Sequence, residues 1–201
     1  MTKTFTQNDL SFVSEEIMNG KVVAFPTDTV YGVGVRYDHQ QAIEQMKWVK
    51  GRPESKPFPM MVSDAAQMSE IAEVDEDVKR IVNRWTPGAL TLVLRKKKTV
   101  PDFVTNGKDT IAIRIPDHAF VLSLLKMTGP MMVTSANLSD YPSCRTYEEV
   151  MKQLDQRLDG IVEGECGSGV ASTIIDVTQR PYKILRQGTI SLEEIMEELE
   201  K

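Results

Sequence analysis

Apolar and polar positions along this chain switch repeatedly between two periods. Leu10, Val13 and Ile17 share one helical face, and Gly20 closes that pattern. The run Lys21-Val22-Val23-Ala24-Phe25 then predicts a buried strand, stopped by Pro26. A second helical stripe, Ala42, Ile43, Met46 and Val49, ends at Gly51 and Pro53, and Phe58 to Val62 predicts a strand. Val78, Ile81, Val82 and Trp85 form a third stripe, broken by Pro87-Gly88. Leu90 to Leu94 follows as a strand running into the charged turn Arg95-Lys96-Lys97-Lys98.

The second half continues in the same way. Thr110-Ile111-Ala112-Ile113-Arg114-Ile115 alternates as a strand does, with Arg114 on the face of Thr110 and Ala112. Asp117 is placed to cap a helix carrying Phe120, Val121, Leu124 and Leu125, and Pro130 to Thr134 predicts a short strand. Thr146 with Glu149, and Ser191 with Glu194, match capping boxes that open helices around Val150, Leu154 and Leu158 and around Leu192, Ile195 and Leu199. Strands are predicted between them at Gly160 to Glu163, Thr173 to Val177 and Lys183 to Leu185. Such interleaving predicts an α/β layer fold, with helices packed on a mixed, twisted sheet.

Composition narrows the function classes. The chain has 201 residues, 41% of them apolar, enough for one core and short for two, so a single domain over residues 1–201 is expected. A net charge of -5 gives no general attraction to polyanions, which makes local cationic clusters the informative ones. Neither a signal peptide nor a run approaching a membrane span stands out, so a cytoplasmic protein without membrane contact is expected. Cys144 and Cys166 are isolated, and His39 and His118 are the only imidazoles. A disulfide framework and a histidine-rich metal site are therefore not expected, and Cys144, Cys166 and His118 read as structural.

The candidate chemistry gathers in junctions. Pro26-Thr27-Asp28-Thr29-Val30-Tyr31-Gly32 follows a strand, and Thr27 and Asp28 suit a turn that bonds its own backbone. Lys50, Arg52 and Lys56 cluster where a helix ends. One reading is a solvated terminus whose cations complement the helix dipole; the other is a rigid loop presenting ammonium and guanidinium groups to a triphosphate. Arg114 reads either as a cation on the solvated sheet face or as one projecting into a cleft to hold a carboxylate. Thr134-Ser135-Ala136-Asn137 offers hydroxyl and amide groups at a strand end. The glycine-rich run Gly164 to Thr173 lacks the GxxxxGK[ST] signature and precedes a strand, so it predicts a flexible loop, with a lid as its functional reading.

Taken in order, PTDTVYG from Pro26, KGRP from Lys50, PGALT from Pro87, TIAIRIP from Thr110, TSANLS from Thr134, ASTIID from Ala171 and LRQG from Leu185 resemble the YrdC family. These are the single-domain threonylcarbamoyl-AMP synthases. The resemblance implies a twisted α/β sheet with a large concave, positively lined cleft. It also implies a nucleotidyltransferase that joins L-threonine, bicarbonate and ATP into L-threonylcarbamoyl-AMP, releases pyrophosphate and supplies the machinery that modifies adenosine in tRNA. Carried across by motif, Thr29, Arg114 and Ser172 would hold L-threonine. Arg52, Thr110, Ser135, Ser143 and Arg186 would hold ATP, with Lys50 and Asn137 beside the phosphates and Lys56 as a further contact. Mg²⁺ would come with the ATP, and no dedicated protein metal cage is expected.

The chain departs from many relatives at three of these positions: Lys56 stands for an asparagine, Met61 for a histidine and Asp140 for a glycine. The alternative function is a non-catalytic module of the same fold that binds double-stranded RNA or tRNA. Arg95 to Lys98 would make its phosphate contacts.

Overall fold

In the computed structural model, which describes residues 1–51 and 57–201, strands and helices interleave from one end to the other. Strand β1 (Lys3–Phe5) and helix α1 (Leu10–Met18) precede β2 (Val23–Phe25), β3 (Gly32–Arg36) and α2 (Gln40–Lys50). Next come β4 (Met60–Met61), α3 (Ala65–Ile71), α4 (Glu76–Trp85), β5 (Leu90–Arg95), the short α5 (Asp102–Thr105) and β6 (Thr110–Arg114). The chain closes with α6 (Ala119–Thr128), β7 (Met131–Ser135), α7 (Tyr147–Leu154), β8 (Gly160–Val162), β9 (Thr173–Asp176), β10 (Lys183–Arg186) and α8 (Leu192–Glu200).

Among the described residues, ten strands form one sheet in the order β1-β8-β2-β3-β7-β4-β6-β5-β9-β10. The sheet is mixed, as expected: β4 and β6 run parallel, as do β5 and β9, whereas β3 and β7 run antiparallel. Helices cover both faces. Val13 and Ile17 of α1 pack with Phe120, Val121, Leu124 and Leu125 of α6 against Val23, Phe25, Met131 and Val133. On the opposite face Ile43, Met46 and Val49 of α2, Ile81 of α4, Val150 of α7 and Ile195 of α8 join a larger core with Ala24 and Met132. Neighbouring residues of β2 thus enter different cores, which explains why Val22 to Phe25 is an unbroken apolar run.

Capping accounts for most helix ends. Gly51 ends α2 in the left-handed conformation, at φ 57°, which costs a glycine little. Ser191 and Glu194 form the reciprocal box at α8. At α7 only half of the expected box exists: Thr146 accepts from the Glu149 N–H, but the Glu149 carboxylate accepts from Arg145 instead. Leu158 lies beyond the end of α7. The N-cap of α6 is His118 rather than Asp117, and its side chain makes no capping bond.

Four elements lack a clear sequence pattern. Strand β3 is broken by Gly32 and Gly34, α3 offers only Met68 and Ile71 to the core, and β1 and α5 are too short for a period to develop. No helix among the described residues is long and apolar enough to cross a membrane.

Candidate functional site

Strand register builds the floor of the site. Arg114 ends β6 directly opposite Met61 of β4 and Thr91 of β5, and Thr91 in turn sits opposite Ile174 of β9. Paired positions on adjacent strands send their side chains to the same face, so these four form a row across the sheet. The segment between β2 and β3 brings Thr27 and Thr29 over one end of the row. Ser135, Ser143, Ser172 and Arg186 close the other sides of an open cleft of about 610 Å³.

Arg114 is the centre of this arrangement. Its side chain is buried, 5% exposed for the residue, and its guanidinium donates from Nε to the Gly88 carbonyl at 3.0 Å, from Nη1 to the Thr29 hydroxyl at 2.9 Å and from Nη2 to Asp28 Oδ2 at 2.6 Å. Burial lowers the Arg114 pKa, and the Asp28 charge opposes that shift. The solvated-face reading of Arg114 does not hold: the side chain turns into the cleft. Thr27 behaves as expected, its hydroxyl donating to the Val30 carbonyl and accepting from the Thr29 N–H. Asp28 does not. It pairs with a cation 86 residues away, a partner that local sequence cannot reveal.

A second guanidinium lies nearby. Arg186 donates from Nε to the Ser172 carbonyl at 2.9 Å and from Nη2 to the Ser172 hydroxyl at 3.0 Å. That hydroxyl is 2.8 Å from the hydroxyl of Thr91, which the sequence did not single out. Burial lowers the Arg186 pKa, and the charge of Arg114 adds to the effect. One cleft therefore collects Thr29, Arg114, Ser172, Ser135, Ser143 and Arg186.

Other expected residues sit elsewhere. Lys50 is 2% exposed, and its ammonium donates to the carbonyls of Ser135 at 2.5 Å and Asn137 at 2.7 Å and to Asn137 Oδ1 at 3.3 Å. Asn137 is also buried, and its amide donates to the carbonyls of Leu138 and Tyr141. This pair binds the strap after β7 together and does not line the cleft. Thr110 stands opposite Arg95 at the far end of β6, about 13 Å from Arg114 at strand spacing. Arg52 and Lys56 lie outside the described residues.

The glycine-rich segment is better tied than a flexible loop. Gly167, Ser168 and Gly169 donate their N–H groups to the carbonyls of Thr27, Asp28 and Thr29 at 3.0, 3.1 and 2.8 Å. Residues 167–169 thus pair with residues 27–29 and hold the turn that carries Thr29. A Cβ on Gly167 would stand 2.1 Å from the Asp28 carbonyl oxygen, so only glycine permits this approach. Cys144 is buried, and burial pushes its thiol up to about 11, while Cys166 is shifted the same way, so neither is an activated nucleophile. Lys96 donates to Asp102 and to the Val100 carbonyl, at the end of β5 remote from the cleft.

A family model described as "Telomere recombination", covering the Sua5, YciO and YrdC proteins, matches residues 15–188. The chain is 38% identical over 182 residues to a threonylcarbamoyl-AMP synthase of Pyrococcus abyssi, covering 89% of this chain and 54% of that protein. It is 39% identical over 183 residues to the Bacillus subtilis protein of the same name, covering 89% and 53%. The chain thus spans about half the length of these curated relatives. The crystal structure of P. abyssi Sua5 complexed with L-threonine superposes with a TM-score of 0.92 at 34% identity, covering 99% of this chain and 61% of that one.

Proposed function

Because the chain belongs to the Sua5/YciO/YrdC family, we propose that it is a nucleotidyltransferase that makes L-threonylcarbamoyl-AMP from L-threonine, bicarbonate and ATP. The observation that carries this reading is Arg114, a buried guanidinium at the floor of a cleft bordered by the Thr29 and Ser172 hydroxyls. A planar cation flanked by hydroxyls suits the carboxylate and side chain of a small hydroxy amino acid. A relative of similar fold has been crystallised with L-threonine.

In the proposed reaction the threonine amine attacks carbon dioxide with loss of a proton, or bicarbonate with loss of water, and gives a carbamate. A carbamate oxygen then attacks the α-phosphorus of ATP, and pyrophosphate leaves. No protein nucleophile is required. Arg114 and Thr29 fix the amino acid, while Ser135, Ser143 and Arg186 face the nucleotide, so catalysis rests on positioning and on cations placed where charge develops. Arg52 and Lys56 are proposed phosphate contacts on the strength of their motif. Lys50 and Asn137 act indirectly, by holding the strap that carries Ser135.

We propose that Mg²⁺ arrives with ATP on phosphate oxygens, where it would neutralise phosphate charge. The described residues include no group of three or more His, Cys, Asp or Glu side chains suited to a resident ion. The product would pass to the machinery that modifies adenosine in tRNA. A purely RNA-binding role draws less support: within the Arg95 to Lys98 run, Lys96 is committed to Asp102.

Purified protein incubated with ATP, Mg²⁺, bicarbonate and L-threonine should release pyrophosphate and form an adenylate. Release that is absent, or unchanged when threonine is omitted, would overturn the synthase reading.

A further inference from the structure

Thr91 lines the cleft and is 3% exposed, yet the functional reading so far gives it no task. It stands directly opposite Arg114 in the pairing of β5 with β6. Its hydroxyl lies 2.8 Å from that of Ser172, which is equally buried and borders the same cleft. Among the described residues the Thr91 hydroxyl has no second partner.

The rest of Ser172 is held in place. Its carbonyl accepts from Arg186 Nε at 2.9 Å, and the next residue, Thr173, donates its N–H to the Ala89 carbonyl at 3.0 Å. What stays free is the direction of one proton. A hydroxyl has one proton and two lone pairs, and Arg186 Nη2, at 3.0 Å, takes one lone pair of Ser172. If Ser172 donates to Thr91, its proton is spent and only a lone pair faces an incoming ligand. If Thr91 donates to Ser172, both lone pairs are filled, and the proton is left for the ligand and polarised by two donated bonds. The end of a ligand that takes the Arg114 guanidinium is a carboxylate, which only accepts, so the second arrangement alone serves it.

We propose that Thr91 is a positioning residue: it donates to Ser172 and so commits the Ser172 hydroxyl to donating to the carboxylate of the bound amino acid. It acts through Ser172 and not on the ligand. This inference rests on the proposal that L-threonine is a substrate, and it assigns the residue that sets the hydroxyl donor of that site.

A double-variant cycle, read by titration calorimetry with L-threonine and separately with ATP, tests it. Thr91→Val keeps the shape of the side chain and removes its hydroxyl. It should weaken L-threonine at least fivefold, but no more than Ser172→Ala does, and leave ATP within twofold. Thr91→Ser, which keeps the hydroxyl, should bind L-threonine within twofold of the wild type. In a Ser172→Ala background the valine substitution should weaken L-threonine less than twofold, because the hydroxyl it governs is gone. The same loss in both backgrounds makes Thr91 an independent contact, and equal losses for both ligands make it a general support of the cleft; either result overturns the inference. A serine variant as weak as the valine variant overturns it too, as does a valine variant that binds like the wild type. Where Thr91→Val does not fold, Thr91→Ala takes its place in both backgrounds with the same expected losses. Wild-type protein that binds no L-threonine instead refutes the substrate reading, and this inference with it.

Discussion

The Lys50 ammonium donates to the Asn137 carbonyl at 2.7 Å and to the Asn137 side-chain oxygen at 3.3 Å, so two residues from separate motifs are bonded to each other in the protein interior. The Ser139 N–H returns a bond to the Lys50 carbonyl at 2.8 Å.

Lys50→Met should therefore destabilise the fold. It would take the ammonium donor from the Asn137 carbonyl and side-chain oxygen and leave the Ser135 carbonyl with the Asn137 N–H alone, at a cost of about 3 kcal/mol. For a chain of this size that is a fall in Tm of roughly 6 to 12 °C. Thermal unfolding followed by circular dichroism reads it. An unchanged Tm with weakened ATP binding would instead make Lys50 a phosphate ligand.

Arg114→Ala should lower kcat/KM for L-threonine by at least tenfold, roughly 1.4 kcal/mol of transition-state stabilisation. Steady-state pyrophosphate release at varied threonine measures this. Wild-type rates in a folded variant would remove Arg114 from the site. Arg52→Ala, proposed from its motif alone, should cause a similar loss, seen at varied ATP.

Stability should fall in mild acid because of His118. Burial lowers its pKa from the usual 6.5, and Asp28 and Asp117 offset this only in part. The unfolded chain then binds the proton more tightly. The contribution of His118 to stability is thus fully present above about pH 6.5 and is lost as the pH falls from there through the folded value. Urea midpoints at pH 7.5 and 5.5 should show a smaller drop for His118→Asn than for the wild type. The asparagine can also supply the side-chain cap that α6 lacks. Identical drops would contradict the assignment.

Gly167→Ala should act on the site from a distance. The added methyl would meet the Asp28 carbonyl oxygen at 2.1 Å and force residues 167–169 away from residues 27–29, at a cost of about 1 to 3 kcal/mol. Threonine affinity should fall along with stability, because Thr29 rides on that pairing. Calorimetry and a urea melt of the same sample would separate this result from a variant that is less stable but binds normally.

Much of this architecture was legible in the chain. The stripe Ile43, Met46 and Val49 gave α2, and the alternation through Ile111, Ile113 and Ile115 put Arg114 on the opposite face, with Thr110 and Ala112. Strand β3 escaped because Gly32 and Gly34 carry no pattern; they are there because Val133 and Phe25 pack close against them. The hydrogen-bond partners of Lys50 and Asp28 escaped for another reason. A charged side chain reads as solvated unless its partner is known, and both partners lie more than 80 residues away. Periodicity reports which face a residue takes, not which strap or turn comes to meet it.

The hydrogen bond from Arg114 to Thr29 joins residues 85 positions apart, and the one between Thr91 and Ser172 joins residues 81 apart. Closures of that span come late in folding, since the entropy of long loops is lost before such contacts can repay it. No fragment shorter than these spans can hold either bond. Ligand affinity regained during refolding should therefore track completion of the whole sheet, which makes binding a clock for the last step of assembly.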